Sequence, residues 1–455
     1  MADIYTAARV DFSQVTGKLK HELHASNSAP ALCYRYHFQF DDEYRKMNFY
    51  SARNHDWALW DAGQRIVDTH FIFPLEHLDP ENPENYFFRA TDAIIKLARD
   101  CNMRVFYRLG TSIEHTTHEK NPDAHFNTLV PRDFSRYAEI LAGIVRHYTR
   151  GWAGGFEYKD MEYWEIWNEP ELGQMWAGSE DEFVELFVTV LKRLKSEFPE
   201  LKFGGPASAW FNLPFTEKIL VRCKEENIAP DFISWHYYGS SVKTLVQQPV
   251  DMRNFLDERG FTQTEICINE WHYLLSWDGV HLSSTDEMRK RAMDGPCGLH
   301  GIDSGCFNLA VLAAWHDTPL DSAFYYGAGL GGTWGWRDAN CKESKNSFSM
   351  KMMGRLLYEA DERVNTENLQ QRQSVYILAA KARNGDGARM IVSDYRGTAE
   401  MIELEVSGME NAKEVSATIM DDKFDCVPAK VIWNGSKLTL VKNCSGSAAF
   451  YVTMR

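Results

Sequence analysis

The 455-residue chain is 44% hydrophobic, 25% charged and 13% aromatic, the make-up of a globular protein, which excludes a disordered or fibrous one. Its formal net charge of −15 argues against non-specific binding to nucleic acid or an anionic membrane, because like charges repel at long range, and favours a neutral or cationic substrate. The length exceeds one ordinary domain and suits a barrel of about 250 to 350 residues plus a smaller module.

The opening segment MADIYTAARVDF lacks the basic start and roughly 7 to 15 residue apolar core of a secretory signal. No stretch approaches the roughly 18 apolar residues of a membrane span, so a cytoplasmic chain is expected. Strand-like runs then alternate with helical periods, as repeated βα units do. The predicted strands are Leu19–Ala25, Met47–Asn54, Met103–Leu109, Tyr163–Asn168, Lys202–Pro206, Phe232–Tyr237, Glu265–Asn269 and Ser322–Tyr326. Helical periods fall at Arg89–Arg99, Ser135–Tyr148, Glu182–Phe198, Thr216–Glu226, Val250–Glu258 and Cys306–Trp315, with a last one near Ser349–Ala360. The clearest begins at the capping box Ser179-x-x-Glu182, after which Phe183, Leu186, Phe187, Val190, Leu191 and Leu194 make one apolar stripe.

Eight parallel strands with helical crossovers close naturally into a (β/α)8 TIM barrel, here residues 15–362 of an α/β protein. From Ser374 the pattern changes to short alternating runs broken by NGDG, YRG and NGS turns. Residues 363–455 therefore read as a C-terminal antiparallel β-sandwich, on which the extreme N-terminus can also pack. The nine cysteines are scattered and form no CxxC, which favours reduced, mostly buried thiols.

The most specific segment is Tyr163-Trp164-Glu165-Ile166-Trp167-Asn168-Glu169-Pro170. In a continuing strand, Glu165, Trp167 and Glu169 would share one face. Pro170 cannot donate to the ladder, so Glu169 sits at the strand's C-terminal end, where a barrel builds its active site. A second apolar strand also ends in Asn-Glu followed by aromatics, at Asn269-Glu270-Trp271-His272-Tyr273. Glu169 closes the fourth strand and Glu270 the seventh. Two carboxylates facing each other across a sugar are what glycosidic cleavage requires, with retention at a separation of about 5–5.5 Å and inversion at about 6.5–9.5 Å.

On these residues the chain resembles the barrel glycosidases that carry the acid/base on strand four and the nucleophile on strand seven. Within them it is similar to family 39 of the glycoside hydrolases, the group of β-xylosidases and α-L-iduronidases. Arg53-Asn54-His55-Asp56, FIFP at Phe71–Pro74, and Asp231 to Tyr238 support the likeness, in the family's order. The resemblance implies an exo-acting retaining β-xylosidase with Glu169 as general acid/base and Glu270 as nucleophile. Glu169 should hold a proton at rest, and Glu270 should be ringed by donors. The resemblance further implies that His236 and Tyr238 serve the nucleophile, Asn168 the sugar 2-hydroxyl and His55 the sugar subsite. Arg53 is as suited to orienting a carboxylate as to touching sugar, and His236 could instead be a satisfied core histidine. Trp336, in Thr333-Trp334-Gly335-Trp336-Arg337, could be a sugar-stacking platform or packing under a loop. That segment and the HYLLSWDG residues after Glu270 depart from the family pattern, so another glycone (galactoside, glucoside, arabinoside or uronide) is the alternative.

Other readings compete less well. Gly327-Ala328-Gly329-Leu330-Gly331-Gly332 is a literal GxGxxG, but it follows the last strand and precedes no periodic helix, so no dinucleotide is expected. Glu114-His115 with His118 lacks the HExxH order, so no catalytic metal is expected either. A barrel that binds carbohydrate without turning it over would usually have lost one of the two carboxylates. The expected partner is a carbohydrate, with no cofactor, nucleic acid or membrane; a homo-oligomer is left open.

Overall fold

The computed structural model describes residues 6–27, 41–55, 66–112, 128–277, 293–327, 329, 333–337, 342–443 and 445–455. After β1 (Thr6–Lys18), the apolar runs form β2 (Ala25–Ser26), β3 (Ser51–Arg53), β4 (Arg104–Leu109), β5 (Tyr163–Ile166), β6 (Lys202–Ser208), β7 (Phe232–Gly239), β8 (Glu265–Tyr273) and β9 (Ser322–Tyr325). Strands β2 to β9 pair in parallel in chain order, and β9 returns to β2, closing the barrel. Ala25, Phe106, Phe232, Cys267 and Phe324 fill its interior.

Helices between the strands bury their apolar stripes on the barrel's outer wall. In Glu180–Glu197 the capping box of Ser179 and Glu182 is formed, and Phe183, Leu186, Phe187, Val190, Leu191 and Leu194 are all buried. Each such side chain contributes about 1.5–3 kcal/mol relative to an exposed one. The first barrel strand differs from the Leu19–Ala25 expected. Residues His21–Leu23 make a 3-10 turn, and the strand shrinks to two residues, which suffice because β3 and β9 hold it from both sides.

The C-terminal module is one ten-stranded sheet whose other members are β10 (Ala360–Asn368) through β18 (Ala448–Met454). It is mixed rather than wholly antiparallel. Strand β1 lies antiparallel to β10 and parallel to β13 (Met401–Ser407), because the chain's start is slotted between them. Val10, Phe12, Met390, Leu404, Leu438 and Phe450 belong to its core.

This module also reaches the C-terminal ends of two barrel strands. Tyr395 Oη donates to the Ser240 carbonyl (2.9 Å), one residue past β7. Arg396 donates to Tyr273 Oη (3.1 Å) at the end of β8 and to Asp303 (3.2 Å). No helix among the described residues is long and apolar enough to cross a membrane. The sequence features at Glu114, His115 and His118, at Asp56, and at Ala328 and Leu330 to Gly332 lie outside the described residues.

Candidate active site

Strand β5 ends at Ile166, and Trp167 (φ 76°) and Glu169 (φ 46°) then take left-handed conformations. Such a conformation costs a non-glycine residue about 1–3 kcal/mol and persists only where neighbouring bonds impose it. Here the Trp167 amide donates to the Leu109 carbonyl and the Glu169 amide to the Ala207 carbonyl, both at 2.9 Å. The alternation expected from Glu165 through Glu169 is therefore broken. The Trp167 ring turns outward against Trp176 and Tyr137, while Asn168 joins Glu165 on the inner side at Arg53. Gly110 permits this, since a Cβ there would lie 2.8 Å from the Trp167 ring.

Glu270 lies inside β8, not at its end, and only 3% of it is exposed. A register shift between Trp235 and His236 sets His236 opposite Glu270 on the neighbouring strand. The carboxylate is ringed by donors. Arg53 Nη1 reaches Oε1 (2.8 Å), Tyr238 Oη donates to Oε2 (2.8 Å), and His236 Nδ1 is 3.3 Å from Oε2. His55 Nε2 stands 3.5 Å from Oε1. Burial nonetheless pushes the Glu270 carboxyl above its ordinary value, against His236 and Arg53, and the charge of Glu169 pushes the same way.

Arg53 is fully buried and touches no open space. Its Nε bonds Glu165 Oε2 (2.7 Å), Nη2 bonds Asn168 Oδ1 (2.6 Å), and Nη1 also meets Asn27 Oδ1 (3.0 Å). Ser234 Oγ (2.7 Å) and Asn269 Nδ2 donate to the other oxygen of Glu165. Of the two roles weighed for Arg53, the geometry selects orientation of carboxylates. With both partners ionised, Arg53, Glu165 and Glu270 carry one net negative charge in a buried site. Such a site favours a group that becomes positive as it reacts.

Glu169 is half-buried and accepts from His236 Nδ1 at 2.7 Å. Burial lowers the His236 imidazole to about 4, so at neutral pH it is uncharged. Ligand-type atoms of Glu169, His236 and Glu270 all lie within 4.8 Å of one another. Asn168 Nδ2 is buried and has no hydrogen-bond partner among the described residues. Because Arg53 fixes Oδ1, the amide can only present Nδ2 toward a ligand.

Of the two readings of Trp336, burial favours packing. Trp336 is fully buried and stacks on Tyr325 (5.2 Å) and Phe49 (5.8 Å), so it fills the wall and offers no sugar platform. The ring near the catalytic cluster is the half-buried Trp334, set against Tyr238 (5.2 Å), Tyr326 (5.8 Å) and His272 (5.0 Å). Sequence reasoning also gave no role to Glu165, Asn269, Ser234 or Asn27. A charged residue inside the apolar run of β5, and an Asn before each terminal Glu, were the available signals.

The model of the family described as Glycosyl hydrolases family 39 matches residues 12–256. Among characterised relatives, a β-xylosidase of Geobacillus stearothermophilus is 25% identical over 198 residues, covering 43% of this chain and 37% of the relative. Another β-xylosidase, of Caldicellulosiruptor saccharolyticus, is 27% identical over 164 residues, covering 35% of this chain and 32% of the relative. The chain thus spans about a third of the length of each. Among solved structures, a glucosidase from Croceicoccus marinus superposes with a TM-score of 0.79 at 20% identity, covering 100% of both chains. A family 39 β-xylosidase from Caulobacter crescentus gives 0.67 at 14% identity, covering 98% of this chain and 99% of that one. At these identities the structural likeness speaks for the fold.

Proposed function

The chain belongs to glycosyl hydrolases family 39, and from that premise we propose that it hydrolyses a β-linked glycoside by double displacement, with Glu169 as general acid/base, Glu270 as nucleophile and xylose as the glycone. The observation that carries the reading is the spacing of the two carboxyl groups, whose oxygens come within 4.8 Å. That lies below the roughly 6.5–9.5 Å at which inverting enzymes hold their carboxyl groups, and so supports retention.

In the first step a Glu270 oxygen bonds to the anomeric carbon while Glu169 gives its proton to the glycosidic oxygen, and the leaving group departs as an alcohol. In the second, ionised Glu169 takes a proton from water, the water oxygen bonds to the anomeric carbon, and the ester to Glu270 breaks. Both steps pass through an oxocarbenium-like state, which the net negative charge of the Arg53 trio stabilises. Asn168 Nδ2 suits the sugar 2-hydroxyl, a contact that strengthens in the transition state. His55 and Trp334 fit the glycone's surroundings.

Xylose is favoured by the β-xylosidase names of the two characterised relatives. The reading includes a cytoplasmic workplace, with which the free thiols of Cys101, Cys223, Cys267, Cys297, Cys306 and Cys426 agree. A panel of nitrophenyl glycosides tests the function. The β-xyloside should turn over fastest. A faster galactoside, glucoside, arabinoside or uronide would reassign the glycone, and no turnover of any would leave a carbohydrate-binding barrel.

A further inference from the structure

Nearly all tryptophans in the described residues are buried or half-buried; two stand out as exposed, Trp277 at 45% and Trp210 at 48%. Trp277 joins the rings around Tyr238 and Trp334 on the nucleophile's side. Trp210 has no stacking ring among the described residues and lies in the turn after β6.

That turn is tied to the segment carrying Glu169. The Glu169 amide bonds the Ala207 carbonyl (2.9 Å). Two residues beyond Glu169, the Glu171 carboxylate accepts from the Ala209 amide (3.3 Å) and from Asn212 Nδ2 (3.2 Å), so it clasps the turn on both sides of Trp210. Asn212 in turn caps the helix Leu213–Glu225 through the Phe215 amide (3.2 Å). Phe211 faces the barrel wall, edge-on to Trp235 at 5.5 Å, leaving its neighbour Trp210 toward solvent. Glu171 is thereby spent on holding a turn rather than on chemistry, and the turn it holds carries an exposed indole and is tied to the segment of the acid/base.

We propose that Trp210 is the stacking platform for the leaving-group sugar, so that the enzyme is built for substrates with a second pyranose ring past the scissile bond. The proposal rests on the glycosidase reading above. A general acid must face the glycosidic oxygen, so the leaving group extends past Glu169, away from Glu270 and its ring of donors. A pyranose presents C–H groups on one face, which pack on an indole, whereas an exposed indole without such a partner leaves a large apolar surface in water.

The test compares two substrates with the glycone that the aryl panel selects, such as β-1,4-xylobiose and methyl β-xyloside. They share the glycone and an alcohol leaving group and differ in the second ring. Trp210→Ala should lower kcat/KM on the disaccharide about tenfold while changing it less than twofold on the methyl glycoside, and Trp210→Phe should recover most of the loss. Equal losses on both substrates, or no loss on the disaccharide, would overturn the platform. Failure of the unaltered enzyme on both substrates would instead overturn the glycosidase reading.

Discussion

Two strands of one barrel each lead into an Asn-Glu pair, yet they put the glutamates in opposite surroundings. Glu270 remains within its strand, nearly inaccessible, and receives Arg53, Tyr238 and His236. Glu169 lies past the end of its strand in a left-handed turn, half-buried and bonded to His236. On the proposed reading, the same dipeptide serves as a carboxylate held still for attack in one place and as one facing the leaving group in the other. Backbone path and burial, not residue type, divide the roles.

Removing each carboxylate should separate them. Glu270→Ala is expected to cost at least about 10⁴-fold in kcat on every substrate, because no covalent ester can form. Similar activity to wild type on any glycoside would break the distinction. Glu169→Ala should cost about 10²–10⁴-fold on alkyl glycosides and far less on nitrophenyl glycosides, whose leaving groups need no proton. A Brønsted plot of rate against leaving-group acidity reads this out, and equal losses across the series would remove Glu169 from the acid role. A smaller effect sharpens the electrostatic side. The Tyr238 hydrogen bond lowers the Glu270 carboxyl against the rise caused by burial. Glu270 works ionised, so activity falls as pH drops through its titration. Tyr238→Phe should then move the acidic limb of kcat/KM upward by roughly one pH unit. An unmoved or lowered limb would contradict the assigned contact.

Much of this was legible in the sequence, for physical reasons that differ by region. Barrel strands showed themselves as β-branched and aromatic runs, and the helix after Ser179 through a capping box that needs only local bonds. Glu169 and Glu270 were legible because polar residues ending apolar strands have few structural explanations. What escaped depends on contacts far apart in the chain. Arg53 meets Glu165 and Glu270 across 112 and 217 positions, so no local pattern could decide its role. The left-handed turn at Trp167 relies on Gly110 opposite, and it took Trp167 off the face it was expected to share with Glu165. Trp334 and Trp336 sit in one short segment, and only packing against Phe49 and Tyr325 tells the buried ring from the one near the site.

The stereochemistry of the released sugar tests the central claim most directly. Proton NMR during the first minutes of hydrolysis of a β-glycoside should show the β-anomer appearing first, with the α-anomer growing in only as the free sugar mutarotates. Initial release of the α-anomer would mean single displacement by water, and Glu270 could then not be the group that bonds to the sugar.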